Sequence, residues 1–192
     1  MNGEVTDQVP TNLDLLRIVV QETVQKAISD MPMVGDTTII VITPETTHSA
    51  DWMMKAVISE TLTHRDFRVI TDQIPKNHAT IPRFLYLVVD LNVAYPARHR
   101  NYLIGATRIT RVARARLSFQ LIDGKTDKVL WMCEETASRT DSFLKEELLL
   151  VQSDLYPFAK AAVQEEDINR VLEPIIVSGV VGGLIYLFFS NR

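Results

Sequence analysis

The segment from Ile109 to Cys133, ITRVARARLSFQLIDGKTDKVLWMC, constrains the fold more than any other. Ile109, Ala113, Ala115, Leu117, Phe119 and Leu121 alternate with Thr110, Arg114, Arg116, Ser118 and Gln120. A period of two is the mark of a strand with one buried face. Arg111 breaks the apolar set, so burial is expected to end there. Asp123-Gly124 follows, a dipeptide that tolerates the positive φ angles of tight turns. Val129, Trp131 and Cys133 then alternate with Leu130, Met132 and Glu134. The spacing predicts a long antiparallel hairpin.

The flanking sequence supplies helices and further strands. Met1 to Thr11 is polar and reads as a mobile lead-in, without the basic and apolar regions of a secretory signal. Asn12 is positioned to cap a helix. Leu15, Leu16, Val19, Val20, Thr23, Val24, Ala27 and Ile28 form its inner stripe, ending near Asp30. Thr37 to Thr43, TTIIVIT, reads as an interior strand buried on both faces. Ser49 is expected to cap a second helix carrying Met53, Met54, Val57, Ile58, Thr61 and Leu62 inward. Phe67 to Ile70 completes a βαβ-like unit. Residues 71 to 83 read as an irregular connection. Phe84 to Val93 is the next strand, with Leu85, Leu87, Val89, Leu91 and Val93 expected on one face. Tyr95 to Thr107 reads as a projecting arm or loop. Ser138 to Ser142 is a polar connection. Phe143 to Val151 reads as helical, and a further helix starts with Asp154 as cap and Pro157 in its first turn. The chain of 192 residues thus holds one α/β domain, 12–168, with a mixed sheet of about five strands and packed helices.

Residues 169–192 are expected to form one C-terminal transmembrane anchor. Pro174 to Phe189, PIIVSGVVGGLIYLFF, carries no charge. It is near the short limit for crossing a bilayer, about 17–25 residues. A buried core helix is the competing reading, weakened by apolar residues all round the segment. Ser178, Gly179, Gly182 and Gly183 are small residues at the spacing that lets helices approach closely in lipid, so a homo-oligomer is expected.

Catalytic signatures are missing. The sequence holds no G-x-S-x-G, P-loop or G-x-G-x-x-G pattern. His64, His78 and His99 lack metal-ligand spacing with one another or with Cys133, so no metal and no cofactor is expected. Cys133 is the single cysteine, which excludes an intrachain disulfide framework. His48 and Asp51, three apart at a helix start, are the nearest thing to a hydrolase pair. A loop histidine beside a first-turn carboxylate explains them as well. The chain is therefore read as non-enzymatic.

The arginines offer a binding surface. Arg98, Arg100, Arg108, Arg111, Arg114 and Arg116 crowd one short region, and Arg108, Arg114 and Arg116 share a strand face. A solvated face pairing with the acidic stretch Lys145-Glu146-Glu147 is one reading. The other is a docking patch, with Arg98, Arg100, Arg108, Arg114 and Arg116 as candidates, for an acidic partner, anionic lipid or nucleic acid. A net charge of −4 and few interleaved aromatics argue against nucleic acid.

The order TIIVIT strand, helix, FRVI strand, FLYLVVDL strand and LSFQLIDGKTDKVLWMCEE hairpin resembles a bacterial envelope accessory domain. That family includes CsgG, FlgO, LpoB and the N-terminal domain of TolB. The resemblance covers about residues 37 to 165. Its strongest part is Leu117 to Asp123, the Gly124-Lys125-Thr126-Asp127 turn and Val129 to Trp131. It implies a domain that binds other proteins or assembles into rings without catalysis, and it carries over no catalytic residue. Such proteins usually have an exported N-terminus with a lipidated cysteine, which is not visible here. The C-terminal anchor by itself leaves the domain cytosolic; the resemblance leans to the periplasm.

The expectation is a non-enzymatic membrane-anchored accessory or scaffold protein that docks other envelope proteins in a bacterial cell-envelope assembly. The alternative is a membrane-associated binder of nucleic acid or anionic lipid through the arginine face.

Overall fold

The computed structural model describes residues 9–32, 39–71, 80–100, 106–152 and 155–161. Those residues form a mixed α/β domain built on a five-stranded sheet. The strands are β1 (Ile39–Pro44), β2 (Arg68–Ile70), β3 (Arg83–Arg100), β4 (Thr107–Ile122) and β5 (Val129–Leu144). Their spatial order is β2-β1-β3-β4-β5. β1 pairs in parallel with both β2 and β3, while β3, β4 and β5 are antiparallel. Helices α1 (Asn12–Ser29) and α2 (Asp51–Thr63) precede β1 and β2, and a short α3 (Leu148–Val151) follows β5.

The alternation in β4 is followed residue by residue. Ile109, Ala113, Ala115, Leu117, Phe119 and Leu121 are buried, and Arg108, Arg114 and Arg116 are exposed. The α1 stripe from Leu15 to Ile28 is buried as its period requires. Ile40, Val41 and Ile42 are all buried, as expected of an interior strand flanked on both sides. The β1-α2-β2 segment is a parallel βαβ unit.

Several expectations are corrected. Burial does not end at Arg111, whose side chain is 0% exposed. Its charge is matched by Asp141, so the apolar face continues past it to Ile109. The Tyr95–Thr107 segment is no projecting loop over most of its length, because β3 runs to Arg100 and β4 starts at Thr107. Ser138–Ser142 is strand, and β5 extends to Leu144; helix in that region is confined to a 3₁₀ turn at Lys145–Glu147 and to α3. Thr11, not Asn12, caps α1, in a reciprocal box with Asp14. Ser49 does not cap α2: the N-cap is Ala50, without a side-chain bond.

The single face expected for β3 is also wrong, for a specific reason. Phe84 and Tyr86 point inward before a break in register between Val88 and Asp90; Leu91, Val93 and Tyr95 are buried after it. Val89 is the extra residue of a β-bulge, and one inserted residue exchanges the faces of everything beyond it. A second irregularity, between Ala94 and Ala97, puts Tyr95 and Pro96 opposite Arg111. Proline is tolerated at such a break because no ladder hydrogen bond is lost.

The β4–β5 turn uses its residues differently from the expectation. Asp123 accepts from Lys125 N and from Thr126 Oγ1 at 2.8 and 3.0 Å, and those bonds hold its carboxyl below the usual range. The positive φ falls on Asp127, at 53°. Gly124 is needed for space: a Cβ there would sit 2.2 Å from the Ile81 carbonyl oxygen.

The chain divides into Met1–Ala162 and Val163–Arg192. The expected anchor, with Ser178, Gly179, Gly182 and Gly183, lies outside the described residues, as do Asp154 and Thr37-Thr38 at the head of the expected TTIIVIT strand. Among the described residues no helix is long and apolar enough to cross a membrane.

Candidate docking face of the sheet

Both main helices pack on one side of the sheet. Glu135 and Arg139 of β5 meet Lys26 and Glu22 of α1, and Tyr86 of β3 donates to Asp51 of α2 at 3.0 Å. These are the inward-facing positions of their strands. Among the described residues no element covers the opposite face of β3, β4 and β5. That face is organised in cross-strand rows set by the register: Leu85–Gln120–Met132, Leu87–Ser118–Glu134, Asp90–Arg116–Thr136 and Asn92–Arg114–Ser138. Its turn-proximal end is apolar, with Val129 and Met132 54% and 65% exposed. Its middle is charged.

The candidate arginines do not form one cluster. Arg116 is paired with Glu134, Nε to Oε1 at 2.6 Å. Arg114 neighbours it on the same face, about 7 Å along the strand. Arg108 lies six residues away, about 20 Å, beyond the ~8 Å over which physiological salt leaves a surface charge visible. Among the described residues it reaches only Ser142 Oγ, at 3.5 Å. Arg98 stands opposite buried Ile109 and so belongs to the helix side of the sheet; its Nε is buried without a partner. Arg100 is paired opposite Thr107 in the ladder, and its side chain lies outside the described residues. None of the described arginine side chains pairs with Lys145-Glu146-Glu147, whose Glu147 instead accepts from Leu144 N at 2.7 Å. Across the rows, Arg114 and Arg116 against Asp90 and Glu134 leave no net charge.

The inward arginine was not recognised as a site in the sequence. Arg111 donates from Nε to Asp141 Oδ1 at 2.8 Å, and from Nη1 to Pro10 O and Asn12 Oδ1, both at 2.9 Å. Its guanidinium lies 5.2 Å from the centre of the Phe143 ring. Asn12 Nδ2 donates to Tyr95 Oη at 2.8 Å and to Ala159 O at 2.9 Å. Burial pushes the Tyr95 phenol above its ordinary value, partly offset by Asn12 and Arg111. This network ties the start of α1, strands β3 to β5 and the 159 region together, which is a structural role. The signal for it was an arginine and an aspartate, both at inward parity, on neighbouring strands.

The groups that could do chemistry are otherwise engaged. His48 Nδ1 accepts from Ala50 N at 3.0 Å, and Asp51 accepts from His48 N at 2.9 Å and from Tyr86. The pair therefore shapes the start of α2. No group of three metal-ligating side chains occurs among the described residues. Burial first, then Glu135 and Asp30, raise the Cys133 thiol to about 11, the reverse of an activated nucleophile. An open hollow of about 520 Å³ beside α2 is lined by Trp52, Lys55, Ala56, Ser59 and Thr71 and, among the described residues, holds no carboxylate, histidine or cysteine.

No protein-family model matches this sequence, and no curated protein matches it. Among solved structures, the C-terminal domain of LpoB from Escherichia coli is similar at 10% identity and a TM-score of 0.38, over 65% of this chain and 98% of that one. A minor lipoprotein from Acinetobacter baumannii gives 14% identity and 0.35, over 59% and 76%. The lipoprotein GNA1162 from Neisseria meningitidis gives 13% identity and 0.29, over 78% and 98%. At these TM-scores the likenesses carry no argument about function.

Proposed function

We propose that this chain is a non-enzymatic accessory protein of a bacterial cell envelope, held at the membrane by its C-terminal segment, that docks another envelope protein on the open face of β3–β4–β5. The observation that carries the reading is that face: three long strands with apolar Val129 and Met132 at one end and Arg114 and Arg116 in the middle, uncovered among the described residues. An apolar end beside a polar field suits a protein partner, where a desolvated centre and polar rim combine. The sequence resemblance to envelope accessory domains supports the same reading, as does the absence of a free acid–base pair around His48 and Asp51. Binding of nucleic acid or anionic lipid is the weaker reading, because rows with no net charge release few counterions.

The test places a photocrosslinking residue at Thr136 or Ser138 of the full chain in bacterial cells. Adducts with a discrete envelope protein, lost when Met132 becomes Asp, are the expected result. Crosslinks to lipid alone, or strong binding to anionic vesicles that disappears in high salt, favour the second reading.

A further inference from the structure

The two edges of the sheet are unlike. β2, at one edge, has three residues, and a very short edge strand offers little to pair with. β5, at the other, has sixteen. From Trp131 to Leu144 its ladder with β4 is unbroken, and this stretch contains no proline, glycine or lysine. Edge strands are ordinarily blunted by shortness, proline, lysine or a bulge. Beyond Leu130, β5 uses none of these; its safeguard is charge, at Glu134, Glu135, Arg139 and Asp141, which opposite charges in register would neutralise.

Self-pairing of β5 imposes a strict condition. Two copies related by a two-fold axis through Ala137 run antiparallel, and residue i meets residue 274 − i of the other copy. Both then lie on the same face of the joined sheet, as the pleat requires. In that register Glu135 meets Arg139, Trp131 meets Phe143, Leu130 meets Leu144, and Thr136 meets Ser138, each twice. Moving the axis to Glu135 or Arg139 sets like charges against each other. Moving it to Ser138 sets Glu135 against Asp141. Cross-strand pairs of opposite charge stabilise a ladder, and like charges directly opposite destabilise it. Glu135 already meets Lys26, and Arg139 already meets Glu22, so the joined edge would order four charges in alternating sign across the axis.

From this self-complementarity we propose that the β5 edge is a homodimer interface, in which a second copy of this chain extends the sheet antiparallel about Ala137. The surface is the edge, not the open face, so the proposal stands independently of the partner assigned to that face.

Ala137→Cys in a Cys133→Ser background of the full chain, under mild oxidation, tests it. Opposed residues in a ladder lie about 4.5–5.5 Å apart, within disulfide reach. Thr140→Cys in the same background is the control, because position 140 meets Glu134 and lies about 20 Å from its own counterpart. A covalent dimer at 137 at least tenfold above that at 140 is expected. Arg139→Glu should cut the yield at 137 at least tenfold, and adding Glu135→Arg should restore it. Circular dichroism confirms folding of each variant. Equal yields at 137 and 140, or a yield at 137 indifferent to Arg139→Glu in a folded protein, overturns the proposal. At Thr136 and Ser138 the dimer gives adducts of this chain with itself, whereas the partner of the open face gives adducts with a different protein, so the two readings fail separately.

Discussion

Arg111 and Asp141 form a two-pronged ion pair across the β4–β5 ladder, with Nε to Oδ1 at 2.8 Å and Nη2 to Oδ2 at 2.5 Å. They are directly opposed in register. The arginine is fully buried and the aspartate 29% exposed, so the pair draws a charge into the core at the point where β3 is bulged. Removing one partner of such a pair leaves the other uncompensated, at about 3–5 kcal/mol. Arg111→Met should therefore lower stability by that amount in urea unfolding. Arg111→Met with Asp141→Leu should cost less than Arg111→Met alone. A near-neutral single variant would show that the pair contributes nothing.

The two faces of β4 should respond oppositely to truncation. Leu117 is 0% exposed, and Leu117→Ala should cost about 2–5 kcal/mol. Arg114→Ala, on the open face, should stay within about 0.5 kcal/mol. Arg116→Ala loses only an exposed pair with Glu134, worth about 1 kcal/mol or less. Equilibrium unfolding of the three variants checks the assignment of faces, because a one-residue slip would reverse their order.

In the β4–β5 turn, Gly124→Ala should be the harmful substitution. Its new Cβ would overlap backbone atoms of Thr80 and Ile81, which a side-chain rotation cannot relieve. Overpacking of this kind costs about 1–3 kcal/mol. Asp127→Gly removes a left-handed non-glycine residue together with an exposed pair to Arg83. These effects oppose each other, so its midpoint in urea should stay near the parent's while that of Gly124→Ala falls.

What could be read from the sequence followed the contrast between faces. β4 alternates apolar and polar over a dozen residues, and α1 carries a clean helical stripe, so both were legible. β3 was only half legible. FLYLVVDL is apolar at nearly every position, so nothing in it marks Val89 as the residue where the faces exchange. β5 faded after Cys133 because an edge strand exposes most of its side chains, and ETASRTDS reads as a loop by composition. That also hid Asp141, without which Arg111 looked like the end of the core. The arginine candidates suffered from the same bulges: Arg98 and Arg108 are near in sequence but fall on opposite sides of the sheet.

Cys133 should be a sluggish thiol. A pKa near 11, against an ordinary value near 9, leaves about a hundredfold less thiolate at pH 8. Alkylation of the folded protein by iodoacetamide at pH 8 should be slowed in proportion and should accelerate as pH rises towards 11. The sign for stability follows. The folded state holds the thiol proton more tightly, so this contribution is complete below pH 9 and is lost as pH rises through 11. Unfolding in urea should bring the reaction rate to that of an ordinary cysteine. A folded-state rate equal to the unfolded one would show that burial does not shield the thiol.

Deleting residues 172–192 should leave the domain folded and free the protein from detergent. Among the described residues, the interactions that close the core lie earlier in the chain. Asn12 fastens the start of α1 to Tyr95 and to Ala159 O, and Gln152 Nε2 donates to Ala161 O at 2.9 Å. Arg111 joins Pro10 to Asp141. The removed residues include PIIVSGVVGGLIYLFF, whose uncharged length suits lipid better than water. The truncated protein should unfold cooperatively, with a urea midpoint close to that of the full chain in mild detergent, and should no longer sediment with membranes. An aggregated truncation, beside a folded full chain, would instead make that segment part of the core and remove the basis for a membrane anchor.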